Sequence, residues 1–377
     1  MNHYLLHIII INFILFNSIN CSFQVSLFNE INKNKKGQNL IISPLSIFQI
    51  LSLTANGAES QTQSEMVQTL KAENLDELNS KNYEILEISK NFQTVEIANA
   101  VFSKFLPTEK FLYVSEKYCA PHQLLESADQ VNKWCDEKTH GKISKILDQL
   151  GAEVQMILLN AVYFKGEWRN KFLEKSTTKK SFYNFGTEEK QIDMMRQLSH
   201  FNYYEDKNVQ AIELPYVKDN MTALVILPRE DLNINKYITS LDSDENTLDD
   251  LIKNLKIVKV DLELPKFEVN FFSSLKEVLS DMGMDTAFTD DADFTGLRKE
   301  GNLKIDDVLH KTYLKVNEDG TEAAAVTAVV IKYTSAGPTQ EKVYQMKVNR
   351  PFLLFLRNKN LPVGNDLLFM SKIEIIE

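Results

Sequence analysis

The chain has 377 residues, 44% of them hydrophobic and 25% charged, with a formal net charge of −10. This balance excludes collagenous, low-complexity and disordered classes, and the acidic sign argues against a nucleic-acid binder, which needs a basic face. With only 12 Gly and 9 Pro there is little material for a long linker, and no repeat appears at solenoid or propeller periods.

In chain order, His7 to Phe16 is an apolar run broken only by His7 and Asn12. It is too short to span a bilayer, and Ser18, Cys21 and Ser22 follow it. That pattern predicts a signal peptide over residues 1–21, removed around Asn20 to Ser22, ahead of a mature domain over 22–377. The leading region lacks Lys and Arg, so a first buried helix is the other reading. No later apolar stretch is long enough to cross a membrane, and the mature chain is expected to be secreted.

Ser43-Pro44-Leu45-Ser46 precedes apolar residues at Ile47, Ile50, Leu51 and Leu53, which predicts a helix with Pro44 in its first turn. Val131 to Leu147 reads as an amphipathic helix and a turn at Gly141. Val154 to Phe164 is a continuous apolar run and predicts a buried strand. Ala211 to Pro228 reads as a hairpin about the polar turn VKDN. That turn carries the sequon Asn220-Met221-Thr222, a candidate glycosylation site at Asn220. Phe352 to Leu356 and Leu367 to Met370 are further strands, expected to pair. Helices dominate the first third and strands the rest, which argues for one α+β domain.

The search for catalytic chemistry finds no GxSxG elbow, no HExxH, no phosphate-cradling loop and no dinucleotide fingerprint. The six histidines are scattered. The acidic run Thr289 to Asp293 lacks the central glycine and terminal glutamate of a calcium loop, so it reads as a solvated loop. An enzyme would need a site assembled from distant residues; none is expected, nor is a cofactor or a metal. Of the three cysteines, Cys21 falls at the leader's end. Cys119 and Cys135 either pair or remain two buried free thiols.

The stretch NEDGTEAAAVTAVVIKYTSAGP, Asn317 to Pro338, is unusual. Its first half is small and its second half β-branched and strand-favouring. Read as a strand, its faces alternate. If Thr321 points inward, so do Ala323, Ala325, Thr327, Val329 and Ile331, none of them charged. Glu322, Ala324, Val326, Ala328, Val330 and Lys332 then point outward.

This segment closely resembles the hinge and reactive loop of the serpins, and NRPFLLFL, Asn349 to Leu356, resembles their C-terminal signature. NLIISPLSI at 39–47, LLNAVYFKGEW at 158–168, ELPYVKDNMTALVILP at 213–228 and LPKFEV at 264–269 are similar to further serpin segments, in the family's order. The resemblance implies the serpin fold: three β-sheets, eight or nine helices and an exposed reactive-centre loop. It implies a suicide-substrate inhibitor of serine proteases, whose cleaved loop inserts into the central sheet; a non-inhibitory carrier or chaperone of the same fold is the alternative. The expected partner is an elastase-like or chymotrypsin-like protease, with a trypsin-like one admitted, and a monomer with no nucleic acid and no membrane.

Carried over residue by residue, the hinge is Glu318, Gly320, Thr321, Glu322, Ala323, Ala324 and Ala325. The shutter is Ser43, Ser46, Asn160 and His310, and the breach is Trp168, Lys266 and Glu318. Counting forward from Gly320 places the reactive bond between Thr334 and Ser335, with Tyr333 and Lys332 as alternative specificity residues. Counting backward from Asn349 lands at Gly337 or beyond, so the loop is longer than usual. Three departures stand out. Ser371 replaces a customary glycine, Val326 is larger than usual, and Tyr118 to Val131 is short enough to trim an edge strand. Lys71 to Lys90 holds three basic residues and five acidic ones, which argues against glycosaminoglycan activation there.

Overall fold

The computed structural model describes residues 23–90, 92–243, 246–300, 302–321, 341–362 and 365–377. Residues 1–22, where a signal peptide is expected, and residues 322–340, which hold the expected hinge residues Glu322 to Ala325 and the expected reactive bond and its neighbours Lys332 to Ser335, lie outside the described residues.

Residues 23–34 form helix α1, whose stripe Phe23, Leu27, Phe28 and Ile31 is buried. β1 (Leu40–Ile42) leads into α2 (Pro44–Ala55). Pro44 occupies the first turn of α2, where a missing N–H breaks no intrahelical bond. Every residue of α2 is buried, because it runs between the sheets and packs on strands of both. α3 (Ser60–Thr69) and α4 (Leu75–Ser89) follow, then β2 (Val95–Ser103), α5 (Glu109–Lys117), β3 (His122–Leu124) and α6 (Ala128–Lys138). Asn74, Thr108 and Ser127 cap α4, α5 and α6 with side-chain acceptors. α6 ends at Lys138, and His140 and Gly141 take positive φ of 52° and 79° and turn the chain at the predicted Gly141.

The strands then run β4 (Met156–Phe164), β5 (Gly166–Glu167), β6 (Thr178–Asn184), β7 (Glu188–Glu205), β8 (Val209–Pro215) and β9 (Met221–Pro228). After α7 (Ile234–Ser243) and α8 (Asn246–Lys253) come β10 (Lys256–Pro265), β11 (Phe267–Ser274), α9 (Lys276–Leu279) and β12 (Asp307–Val316). The chain closes with β13 (Gly320–Thr321), β14 (Val343–Lys347), β15 (Phe352–Asn358) and β16 (Leu367–Ile373). The predicted hairpin is β8–β9, and the two C-terminal strands pair antiparallel. β3 is a three-residue edge strand, as the short Tyr118 to Val131 segment implied.

One ladder has the order β3-β2-β4-β12-β13-β5, with β11 on the other edge of β12. The second runs β1-β16-β15-β9-β8-β7-β10-β14, with β6 also on β7. The 18-residue β7 joins what would otherwise be two sheets: residues 188–203 pair with β6 and β10, and residues 202–205 with β8. Three sheets are thus present in two hydrogen-bonded ladders, with nine α-helices among the described residues. The strand pair that matters below is β4 and β12, parallel and in register from Ile157↔Asp307 to Tyr163↔Tyr313. α6 and the segment after it cover its outer face: Val131, Cys135, Ile143 and Ile146 pack on Ile157, Leu159 and Leu309.

Candidate functional site: the opening of the central sheet

Beyond Tyr163 and Tyr313, β4 and β12 cease to pair and a wedge enters between them. Asn317 starts the turn; its side-chain oxygen accepts the N–H groups of Asp319 and Gly320. The chain then reverses as β13. Thr321 pairs with Val316 of β12 on one side and Gly166 of β5 on the other, and Gly320 pairs with Glu167. Gly320 has φ +155°, and a Cβ there would sit 2.0 Å from the Gly166 carbonyl oxygen, so only glycine fits. Thr321 is fully buried, and its hydroxyl lies 2.8 Å from that of buried Tyr216. The inward direction required of Thr321 is therefore observed.

The breach residues surround this wedge. Trp168 is 1% exposed and stacks on Tyr216 with ring centroids 4.4 Å apart. Its indole N–H donates to the Asn317 carbonyl at 2.9 Å, and its backbone N–H to that of Asp319. Lys266 and Glu318 form the expected ion pair at 3.0 Å, and the Thr177 hydroxyl donates to the other Glu318 oxygen at 2.7 Å. Burial opposes ionisation of Glu318, but the Thr177 hydroxyl and the Lys266 ammonium outweigh it and hold its carboxyl below the usual range.

Lower down, the shutter crosses the same strand pair. Asn160 of β4 and His310 of β12 are direct partners, and the His310 Nδ1 lies 2.5 Å from the Asn160 side-chain oxygen. That oxygen also accepts from the Ser46 hydroxyl at 3.0 Å. The Ser43 backbone N–H donates to His310 Nε2 at 3.2 Å, which fixes the neutral tautomer with its proton on Nδ1. Complete burial pushes the imidazole down to about 3. The resemblance placed both serines in this cluster. Ser46 supplies a hydroxyl, whereas Ser43 contributes backbone groups and its own hydroxyl has no partner among the described residues.

Several participants were not singled out from the sequence. Asn99 sits opposite Asn160 on β2 and accepts from its amide at 2.5 Å. A lone amide in the apolar run of Val95–Ser103 was a legible signal. Tyr216 and Thr177 carried no such signal. Cys119 is exposed and Cys135 buried, and both are free thiols. Asn220 is exposed in the β8–β9 turn with φ +53°, accessible as a sequon requires.

Comparison with known proteins identifies this arrangement. The family model described as serpin (serine protease inhibitor) matches residues 18–375, and the chain belongs to the serpin family. The leukocyte elastase inhibitor of Xenopus laevis is 32% identical, over 89% of this chain and 93% of its own length. The crystal structure of the thermophilic serpin tengpin in its native state is 32% identical, with a TM-score of 0.86 over 95% of this chain and 94% of that one. Thyroxine-binding globulin in complex with thyroxine is 26% identical, with a TM-score of 0.85 over 96% and 99%. Serpins are inhibitors rather than catalysts, and the family also includes this thyroxine binder.

Proposed function

We propose that the chain is a secreted inhibitory serpin that traps a serine protease by inserting its cleaved loop between β4 and β12. The observation that carries this reading is β13, already seated in the open end of the strand pair with Thr321 facing inward.

Extending that register follows the insertion through. Each residue beyond Thr321 moves one residue back along both flanking strands. Position 323 falls between Phe164 and Leu314, position 325 between Val162 and Thr312, and position 329 between Leu158 and Val308, all buried side chains. Small Ala323 and Ala325 suit a tight opening, and Val329 suits the widening core. Glu322 falls outward between Lys165 and Lys315. Thr327 falls between Asn160 and His310, where its hydroxyl can replace the bond that insertion breaks. The register reaches Met156, the start of β4, at Ile331. An inserted strand from 321 to 331 spans about 36 Å at about 3.3 Å per residue.

Cleavage between Thr334 and Ser335 then leaves three residues, Lys332 to Thr334, as a tether to the acylated protease. Cleavage after Lys332 leaves only one. This supports Thr334 as the specificity residue, with Tyr333 next and Lys332 third. A small β-branched residue suits a shallow elastase-like pocket, and the likeness to a leukocyte elastase inhibitor agrees with that preference. The leader over 1–21, secretion and a glycan at exposed Asn220 complete the reading, with a monomer expected. On α4, Lys81 is paired with Glu77, which argues against a glycosaminoglycan stripe.

The likeness to thyroxine-binding globulin favours the second reading, a carrier with the same fold whose loop is cut without trapping. Incubation with elastase-like, chymotrypsin-like and trypsin-like proteases decides between them. A covalent complex on a denaturing gel supports the inhibitor; cleavage with no complex from any of the three supports the carrier.

A further inference from the structure

Six segments of the chain line a cavity of about 180 Å³, with Arg169 following β5, Phe201 on β7, Glu213 on β8, Met221 on β9, Ile257 on β10 and Lys359 following β15. A space of this size holds a single ring: an engineered apolar cavity of about 150 Å³ takes up benzene. Here the lining carries charge as well.

The polar part of the lining is built around Glu213, which is 3% exposed and fully engaged. The Asn202 amide and the Lys359 ammonium donate to one carboxylate oxygen at 2.9 and 2.5 Å. The Thr222 hydroxyl and the Arg357 guanidinium donate to the other at 3.0 and 3.3 Å. Burial opposes ionisation of Glu213, but Lys359, Asn202 and Arg357 outweigh it and hold its carboxyl below the usual range. Arg357 also binds Asp366 at 2.6 Å, so Glu213 and Asp366 balance Lys359 and Arg357. His200, a further lining residue, is turned to Glu341 at 2.7 Å. Arg169 is left over: it is exposed, and its guanidinium has no partner among the described residues.

The rest of the lining is largely apolar. Phe201 and Met221 are buried, whereas Ile257 is 74% exposed. Ile257 lies directly across from Asn202, the residue that donates to Glu213. Opposed residues share a face, so a bare isoleucine stands beside the polar cluster. An unpaired guanidinium and an exposed branched side chain on one cavity are complementary to an apolar group that carries a negative charge. Ionised Glu213 limits that charge to one, because a second would face this carboxylate with no cation of its own.

We propose that the cavity binds a small aromatic carboxylic acid, whose carboxylate pairs with the Arg169 guanidinium while its ring lies against Ile257. The planar fork of an arginine matches a carboxylate through two parallel N–H groups. The site belongs to the body of the fold and works without cleavage or insertion of the loop, so it stands apart from protease capture.

The test is isothermal titration of the full mature chain with three probes of one size: phenylacetate, its neutral amide phenylacetamide, and phenyl phosphate, a dianion above neutral pH. Phenylacetate is expected to bind, with the amide and the phosphate at least tenfold weaker. Arg169→Gln should weaken phenylacetate at least tenfold and leave the amide unchanged. Ile257→Ala should weaken acid and amide alike, severalfold. Lys299→Gln removes an exposed cation that does not line the cavity, and should bind as wild type. Thermal midpoints of the ligand-free variants equal to that of wild type establish that they fold. Wild type that takes up no phenylacetate at millimolar concentration overturns the site. So does equal binding of acid and amide, or Arg169→Gln binding the acid as wild type does.

Discussion

Thr321→Arg addresses the step on which the proposed inhibition depends. Thr321 is fully buried beneath the Trp168–Tyr216 stack, with its hydroxyl on that of Tyr216. A guanidinium there finds no free carboxylate, because Glu318 is already held by Lys266 and Thr177. Burying an unpaired charge costs several kcal/mol, so the arginine drives the first inward residue out of the sheet. The outcome of cleavage is a race between insertion and hydrolysis of the acyl-enzyme. If only about 3 kcal/mol of that cost appears in the insertion barrier, insertion slows roughly 150-fold. The inhibitor then becomes a substrate: the moles consumed per mole of protease trapped rise from near one to on the order of 10–100. Titrating residual protease activity against inhibitor measures this ratio. Thr321→Val, which leaves the buried Tyr216 hydroxyl without its partner at a cost of about 1–3 kcal/mol but adds no charge, should trap far better than Thr321→Arg. A Thr321→Arg protein that traps with unchanged stoichiometry refutes the insertion argument.

Gly320→Ala places a methyl 2.0 Å from the Gly166 carbonyl oxygen. It should displace β13 at a cost of about 2 kcal/mol or more and raise the same stoichiometry severalfold, with the cleaved bond unmoved in mass spectra of the released peptide. His310 is held near 3 when folded and returns to about 6.5 when unfolded. The unfolded chain therefore binds the extra proton, and the stability from neutral His310 is present above about pH 6.5 and is lost as pH falls toward 3. Between pH 7 and pH 5 the loss should be about 2 kcal/mol, read from urea unfolding. A His310 imidazole resonance titrating near 6.5 in the native protein contradicts it.

Of the strand pair, β4 was legible because Val154 to Phe164 is apolar apart from Gln155 and Asn160, and β4 is buried throughout, whereas β12, which carries Asp307, His310, Lys311 and Lys315, gave no such run. The hinge was legible for a different reason, since Gly320 followed by small residues and then β-branched ones fits no ordinary loop. The direction of Thr321 remained conditional in the sequence because a strand's two faces are equivalent until a partner fixes the register. Val316 and Gly166 fix it. Tyr216 and Thr177 were invisible because their roles depend on neighbours more than 100 residues away, Thr321 and Glu318. The helix and the turn at Gly141 were legible within Val131 to Leu147, and the structure shows both. Apolar Ile143 and Ile146 continue a helical spacing, but they pack on the sheet from an irregular segment after His140 and Gly141 turn the chain.

The central claim is that the sheet holds room for one more strand, to be filled after cleavage. The measurement that tests it most directly is the thermal midpoint of intact protein against protein cleaved in the reactive loop. Burial of Val329 and Ile331 yields about 1.5–3 kcal/mol each, and a new ladder of bonds on both sides adds roughly 0.5–1.5 kcal/mol apiece. A gain on the order of 10 kcal/mol in a chain of this length raises the midpoint by roughly 15 °C. Cleaved protein melting that much higher is the predicted result, and intact and cleaved samples melting together would contradict the account.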